Sequence, residues 1–118
     1  MTVIYHDPNS LDSNACLEVL KTTENNLEII NIVDNPMNEE KLLEIIKLLN
    51  IKAYELIRTD SSIWTEHFQH LINHEDDYDD IEYIKMMTEF PILIQPPIVI
   101  NKNKAFIGSP PEAIHNII

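Results

Sequence analysis

Apolar positions in the first third of the chain follow strand spacing, then helix spacing, then strand spacing again. Residues 2–5 are β-branched or aromatic and stop at Asp7-Pro8, which predicts a buried strand followed by a loop. From Asp12 or Ser13, either of which is a suitable N-cap, apolar residues recur at helical spacing. Residues 27–32 predict a second strand, so this unit predicts two parallel strands with a right-handed crossover.

The middle of the chain has the apolar spacing of helices. Asn38 is predicted to cap a helix that runs to Leu49, and a short helix is predicted over residues 63–68. The acidic run 75–80 precedes a further amphipathic helix over 81–87, where carboxylates at the first turn complement the helix dipole.

The last third of the chain is rich in proline and then in β-branched residues. Residues 90–97 predict an extended segment that leads into a strand over 98–100. Residues 101–104 predict a hairpin connection to a strand over 105–107. Ser109 is predicted to cap a final helix, with proline at its first position.

The order of these elements is β-α-β, a helical insertion, then β-β-α. The simplest packing is an α/β fold in which a four-stranded mixed sheet is flanked by helices, with the strands at 2–5 and 98–100 adjacent in its centre. The chain has 118 residues, the length of one domain, so we predict a single domain over residues 1–118.

The amino-acid composition argues against several classes of function. The net charge is −12 with 8 Lys plus Arg, which argues against direct binding of nucleic acid. The only glycine is Gly108, so a glycine-rich nucleotide loop is excluded. The only cysteine is Cys16, so an internal disulfide is excluded, which fits a cytoplasmic location. No apolar run approaches the roughly 20 residues of a membrane span, so no membrane association is expected.

Four short segments carry a family resemblance. They are IYHDP at 4–8, LIRT at 56–59, FPILIQPPIVI at 90–100 and GSPPE at 108–112. These resemble I-Y-H-N-P, L-L-R-T/K, H-P-I-L-I-x-R-P-I-V-V and G-R-P-P-E of the glutaredoxin-coupled arsenate reductases, relatives of the Spx-type transcription regulators. The resemblance covers nearly the whole chain in the right order, and it implies a thioredoxin-like fold.

The resemblance also implies where the catalytic site should lie. The family's nucleophilic cysteine stands two residues after the proline of the first segment, where this chain has Ser10. Arg58 matches the first of the family's three oxyanion-binding arginines, whereas Pro96 and Ser109 stand at the other two positions. His6, Asn9 and Pro97 are expected to form the cleft, with a cis peptide bond before Pro97.

The substitutions at these positions remove the family's chemistry. A serine hydroxyl ionises far above neutral pH and cannot form the mixed disulfide that the family reaction requires. Loss of two arginines also removes the bidentate clamps on the oxyanion. The chain is therefore predicted to have lost arsenate reductase activity and to be a binding or regulatory protein.

Two other functions stay open. One is an active arsenate or thiol-disulfide reductase that uses Cys16, with glutathione and glutaredoxin; no cofactor is expected otherwise. The other is an Spx-like regulator that binds RNA polymerase. For the leading hypothesis the ligand is an unidentified protein or a small anion held weakly by Arg58 and the N-terminus of the first helix, at Ser10.

Ordinary structural roles compete with each of these assignments. Ser10 is a loop serine unless His6 acts as its base, and Cys16 has the apolar neighbours of a small buried side chain. Arg58 has abundant carboxylates to pair with. The histidines near His70 and His74 and the acidic run 75–80 are interpreted as solvated surface, and no metal site is predicted.

Overall fold

The computed structural model describes residues 1–23 and 26–108. Part of the chain folds into a four-stranded mixed sheet. Its strands are β1 (Thr2–His6), β2 (Leu27–Asn31), β3 (Ile98–Asn101) and β4 (Lys104–Ile107). Their order across the sheet is β2-β1-β3-β4. The β1–β2 pair is parallel, whereas β1–β3 and β3–β4 are antiparallel. The sequence prediction that the first and third strands are the central pair is confirmed.

The core of this part forms where the first helix, α1 (Leu11–Thr23), packs beside β1. Ile4 and Val99 are opposite one another in the β1–β3 ladder and both are fully buried. Cys16 and Leu20 come from one face of α1 and join the same apolar cluster. Full burial of one such large aliphatic side chain contributes about 1.5–3 kcal/mol.

The start of α1 differs from the sequence prediction. Asp12 and Ser13 were the expected N-caps, but the helix begins at Leu11, so both lie within its first turn. The backbone N–H of Ser13 donates to the hydroxyl of Ser10 at 3.2 Å, which is the hydrogen bond of an N-cap. Ser10 is the cap because the chain turns into the helix directly after it, which leaves the N–H of Ser13 without a partner within the helix.

Residues 36–95 form a second unit, which is helical. Its helices are α2 (Glu39–Leu49), α3 (Ser62–His67) and α4 (Asp80–Glu89). The Asn38 side chain accepts from the N–H of Lys41 at 2.8 Å, which confirms the predicted cap of α2. Asp79 and Glu82 form a capping box at the start of α4. No helix among the described residues is both long enough and apolar enough to cross a membrane.

The prediction that residues 90–97 are extended throughout is wrong in its first half. Pro91–Leu93 is a 3₁₀ turn, with proline at its first position. The backbone N–H of Arg58 donates to the carbonyl of Leu93 at 2.7 Å, and Ile57 and Ile94 form an isolated antiparallel bridge. A 3₁₀ turn this short has little stability of its own, so it depends on these bonds to the segment around Arg58.

The remaining predictions for the C-terminal third have mixed outcomes. The peptide bond between Pro96 and Pro97 is cis, as predicted. The hairpin is confirmed, but its turn is shorter than expected, because Asn101 and Lys104 pair with each other within the strands. The predicted helix after Ser109 lies outside the described residues. That residues 1–118 form a single domain stays a prediction.

Candidate functional site

Ser10 lies in a tight turn between β1 and α1. Its backbone N–H donates to the carbonyl of Asp7 at 3.0 Å, and its carbonyl accepts from the N–H of Asn14 at 3.0 Å. Its hydroxyl oxygen accepts from Ser13, as described above, and the residue is half-buried. The neighbouring Asn9 is exposed, and its N–H donates to the carboxylate of Asp7 at 2.9 Å. The position that the resemblance assigns to a nucleophile is therefore occupied by a helix cap.

A buried hydrogen-bonded pair lies behind this turn. The Nδ1 atom of His6 is 2.6 Å from the hydroxyl oxygen of Ser13. The backbone N–H of Asp7 donates to the same oxygen at 3.0 Å. The tautomer of His6 decides which group donates, because the Ser13 hydroxyl has one hydrogen to give to Nδ1 and a second lone pair that can accept from it. The resemblance identified His6 but not Ser13.

The surroundings of His6 favour its neutral form. Burial lowers the pKa of the imidazole, because the charged form loses hydration. The charge of Asp7 acts in the opposite direction and that of Lys21 in the same direction, but burial is the largest effect. A neutral His6 could accept a proton from a neighbouring group, although its Nδ1 atom is already engaged by Ser13.

Cys16 is fully buried within the apolar cluster on α1. Burial raises the pKa of its thiol to about 11. The space beside it is closed by Gly108, where an added Cβ would lie 2.9 Å from Sγ of Cys16 and 2.9 Å from Cγ of Pro97. At neutral pH almost none of this thiol is ionised, and the thiolate is the reactive form.

The other residues implied by the resemblance have separate positions. Arg58 belongs to the helical unit, where its side chain is half-buried and its carbonyl accepts from the N–H of Ser61 at 3.1 Å. Pro96 and Pro97 are buried in the unit that contains the sheet. Ser109 lies outside the described residues. That Arg58 and Ser10 act on one anion stays a prediction.

The histidines and acidic residues of the helical unit do not assemble into a metal site within residues 1–23 and 26–108, where no three His, Cys, Asp or Glu side chains come together suitably. His70 and His74 are both exposed. The ring of His74 accepts from the N–H of Asp76 at 3.2 Å and so caps a 3₁₀ turn over Glu75–Asp77.

Comparison with known proteins agrees with this architecture. A solved structure of an arsenate reductase from Vibrio cholerae superposes with a TM-score of 0.85 at 25% identity, over 99% of this chain and 97% of the other. The fold is thus the thioredoxin-like α/β fold of that group. The arsenate reductase of Haemophilus influenzae is 30% identical over 118 residues, covering 98% of this chain and 97% of that one.

A second relative and a family profile lead to the same assignment. The arsenate reductase of Acidiphilium multivorum is 29% identical over 115 residues, covering 98% of this chain and 79% of the relative. The profile of the ArsC family matches residues 5–117. This chain therefore belongs to the ArsC family.

Proposed function

We propose that this ArsC-family protein does not reduce arsenate and acts instead by binding another protein. The observation that carries the proposal is the state of its only thiol. Cys16 is fully buried, and burial raises its pKa to about 11. A thiol in that state is neither ionised at neutral pH nor accessible to arsenate or to glutathione.

The chemistry of the reaction explains why this matters. Reduction of arsenate to arsenite takes two electrons, which thiols supply when two of them end as a disulfide. In the sequence of steps that the resemblance implies, a protein thiolate attacks arsenic and later forms a mixed disulfide with glutathione. Ser10 cannot replace that thiolate, because an oxygen forms no disulfide, and its hydroxyl already caps α1.

Charge at the implied oxyanion site is also reduced. Pro96 and Ser109 stand where the family pattern has arginines, so two of three expected positive side chains are missing. The chain as a whole has a net charge of −12, which opposes the approach of an anionic substrate. The same charge favours approach of a basic protein surface, so the proposed partner is a positively charged protein. The single, unpaired cysteine suits a reducing cytoplasm, where we propose that the protein acts.

A coupled reductase assay tests the loss of activity. The purified protein is incubated with arsenate, glutathione, glutaredoxin, glutathione reductase and NADPH, and the rate of NADPH consumption is compared with that of a reaction that lacks the protein. We expect equal rates, while the Haemophilus influenzae relative, assayed in parallel, serves as the positive control.

Turnover above the background rate would overturn the proposal. The Cys16→Ser variant then identifies the alternative. If the substitution abolishes turnover, the buried thiol is the nucleophile and the chain is a reductase with a rearranged active site. If turnover persists, the nucleophile is not a thiol of this protein.

A further inference from the structure

A cavity of about 200 Å³ lies within the helical unit, between the 3₁₀ turn Ala53–Leu56 and the start of α4. None of the residues around Ser10 contributes to it. Its lining consists of three tyrosines, four carboxylates and one lysine: Tyr54, Tyr78, Tyr83, Glu75, Asp76, Asp79, Asp80 and Lys52. Pockets for drug-sized ligands occupy about 300–1,000 Å³, so this cavity suits one side chain rather than a large molecule.

We propose that this cavity binds the guanidinium group of an arginine in a basic segment of a partner protein. Tyr54 and Tyr78 supply the aromatic surface on which such a group stacks, and the buried Tyr83 packs against both. Tyr54 and Tyr83 meet edge to face with centroids 5.3 Å apart, and Tyr78 and Tyr83 do so at 6.0 Å. Edge-to-face packing fixes the ring orientations, and Tyr54 and Tyr78 are only half-buried, which leaves part of each ring accessible.

Two of the four carboxylates, those of Asp79 and Asp80, are held in place by backbone N–H groups. Asp79 accepts from the N–H of Glu82 at 3.0 Å as the cap of α4. Asp80 accepts from the N–H of Ala53 at 3.1 Å, a contact between residues distant in sequence. A carboxylate offers about four acceptor positions, so these bonds orient each group without exhausting it. Asp79 and Asp80 are therefore oriented before a ligand arrives.

The charge of the lining selects a cation. Four carboxylates and one ammonium group line the cavity, and the ammonium group, that of Lys52, lies 3.8 Å from Glu75 and 3.7 Å from Asp76. Both ion pairs are exposed, and exposed pairs of this kind contribute little, so an incoming guanidinium can displace Lys52. Burial raises the pKa of the Tyr83 phenol, and the neighbouring charges of Tyr54, Asp77, Glu75 and Asp76 raise it further, which agrees with a negative potential here.

Arginine fits better than lysine for geometric reasons. The guanidinium group is planar, stacks on aromatic faces and donates two parallel hydrogen bonds to a carboxylate. An ammonium group is a compact, strongly hydrated charge that does neither as well. Free metal ions are a poorer match, because within the described residues no three suitable ligands converge.

Titration of the full-length protein with blocked short peptides tests the proposal. The probe is an acetylated and amidated peptide with two arginines between glycines, and backbone amide shifts are followed by NMR. We expect saturable shifts confined to residues 52–55 and 75–83. The same peptide with citrulline, the neutral isostere of arginine, is expected to shift nothing, and a lysine peptide is expected to bind at least threefold more weakly.

Variants that keep the fold sharpen the test. Asp79→Asn preserves an N-cap, and Asp80→Asn preserves an acceptor for the N–H of Ala53, yet each removes one charge. Each is expected to weaken arginine binding roughly fivefold, and Tyr78→Leu similarly. Glu40→Gln removes the same charge from the exposed first turn of α2 and is expected to change nothing.

Lys52→Gln is expected to have the opposite effect on the affinity for the arginine peptide. If the ammonium group competes for the carboxylates, its removal strengthens arginine binding. The proposal is overturned if no shift occurs at millimolar peptide, if citrulline or lysine peptides match arginine, or if Glu40→Gln weakens binding as much as Asp79→Asn. The last result would show attraction to the acidic surface in general.

Discussion

Gly108 and Cys16 are in contact so close that a single added carbon would collide with the thiol. A Cβ at Gly108 would lie 2.9 Å from Sγ of Cys16 and 2.9 Å from Cγ of Pro97. Real Cβ atoms essentially never approach other heavy atoms this closely, so a side chain at position 108 requires its neighbours to move. The only glycine of the chain is thus required by packing against α1 and Pro97.

The first prediction follows from this contact. Gly108→Ala should lower the free energy of unfolding by about 1–3 kcal/mol, as overpacking of a core does. In a Cys16→Ala background the same substitution should cost less, because one of the two colliding atoms is gone, whereas in Cys16→Ser it should cost about as much. The free energy of urea unfolding of the wild-type protein, the variants Gly108→Ala and Cys16→Ala, and the double variant completes a double-mutant cycle. Equal costs in both backgrounds would show that Pro97 alone resists the added carbon.

The second prediction concerns the reactivity of Cys16 in the wild-type protein. A thiol that is fully buried and has a pKa of about 11 should not react with a disulfide reagent such as dithionitrobenzoate at pH 7 within minutes. The same protein in concentrated guanidinium chloride should release one equivalent at once. A fast native reaction would contradict the burial and would favour the reductase alternative.

The third prediction is a pH dependence of stability that originates at His6. Burial lowers its pKa in the folded state below the value of about 6.5 that applies when the chain is unfolded. Between these two values the unfolded state binds more protons, so stability is complete above about pH 6.5 and decreases as pH falls toward the folded-state pKa. The slope from this one group can reach about 1.4 kcal/mol per pH unit.

Comparison with His6→Gln isolates that contribution. Urea unfolding of both proteins between pH 5 and 7.5 gives a difference curve from which the other titrating groups cancel. We expect the wild-type protein to lose more stability than the variant as the pH decreases from 6.5. A flat difference curve would mean that His6 titrates alike in both states.

The fourth prediction compares the two serines around the turn. Ser13→Ala removes the hydroxyl that bonds both His6 and the backbone of Asp7, all of them buried. Loss of a partner to buried polar groups costs about 1–3 kcal/mol. Ser10→Ala removes only a half-exposed cap and should cost about 1 kcal/mol. Thermal unfolding should therefore rank Ser13→Ala as the more harmful, and the reverse order would assign the main role to the cap.

The sequence predicted the central strands because buried strands are built from apolar and β-branched residues. β1 and β3 are apolar and β-branched, since the centre of a sheet is covered, and both were located almost to the residue. Helix starts are less certain, because Ser10, Asp12 and Ser13 are all good caps and only the chain path selects among them. The 3₁₀ turn at Pro91–Leu93 was missed because its stability comes from bonds to distant residues such as Arg58.

The two features of the candidate sites that were missed share a cause. Ser13 lies seven positions after His6, but His6 ends β1 and Ser13 belongs to α1, so no single helix or strand relates them, and the turn between the two elements brings them together. The acidic run 75–80 was interpreted as solvated surface, which its exposure supports. That it also borders a cavity depends on Tyr54, which comes from another segment of the chain. Such sites arise from tertiary packing, which local spacing does not encode.

The last prediction asks whether the start of α1 could still support a nucleophile. In the double variant Ser10→Cys, Cys16→Ala, the one thiol occupies the position to which the N–H of Ser13 now donates. The unpaired N–H groups and partial positive charge of a helix N-terminus favour a thiolate. We therefore expect a thiol pKa below about 8.5, the value of an unperturbed cysteine. Cys16 of the wild-type protein, with its pKa of about 11, is the comparison.

The rate of alkylation by iodoacetamide as a function of pH measures the pKa of the new thiol, whereas the buried Cys16 of the wild-type protein should stay unreactive over the same pH range. A midpoint at or above about 8.5 for the new thiol would show that this turn does not activate a nucleophile. Arsenate reduction by the same variant is expected to stay at the background rate, because Pro96 and Ser109 supply no positive charge where the family pattern has arginines. Recovery of turnover from the cysteine alone would show that those arginines are dispensable, and loss of activity in this chain would then rest on position 10.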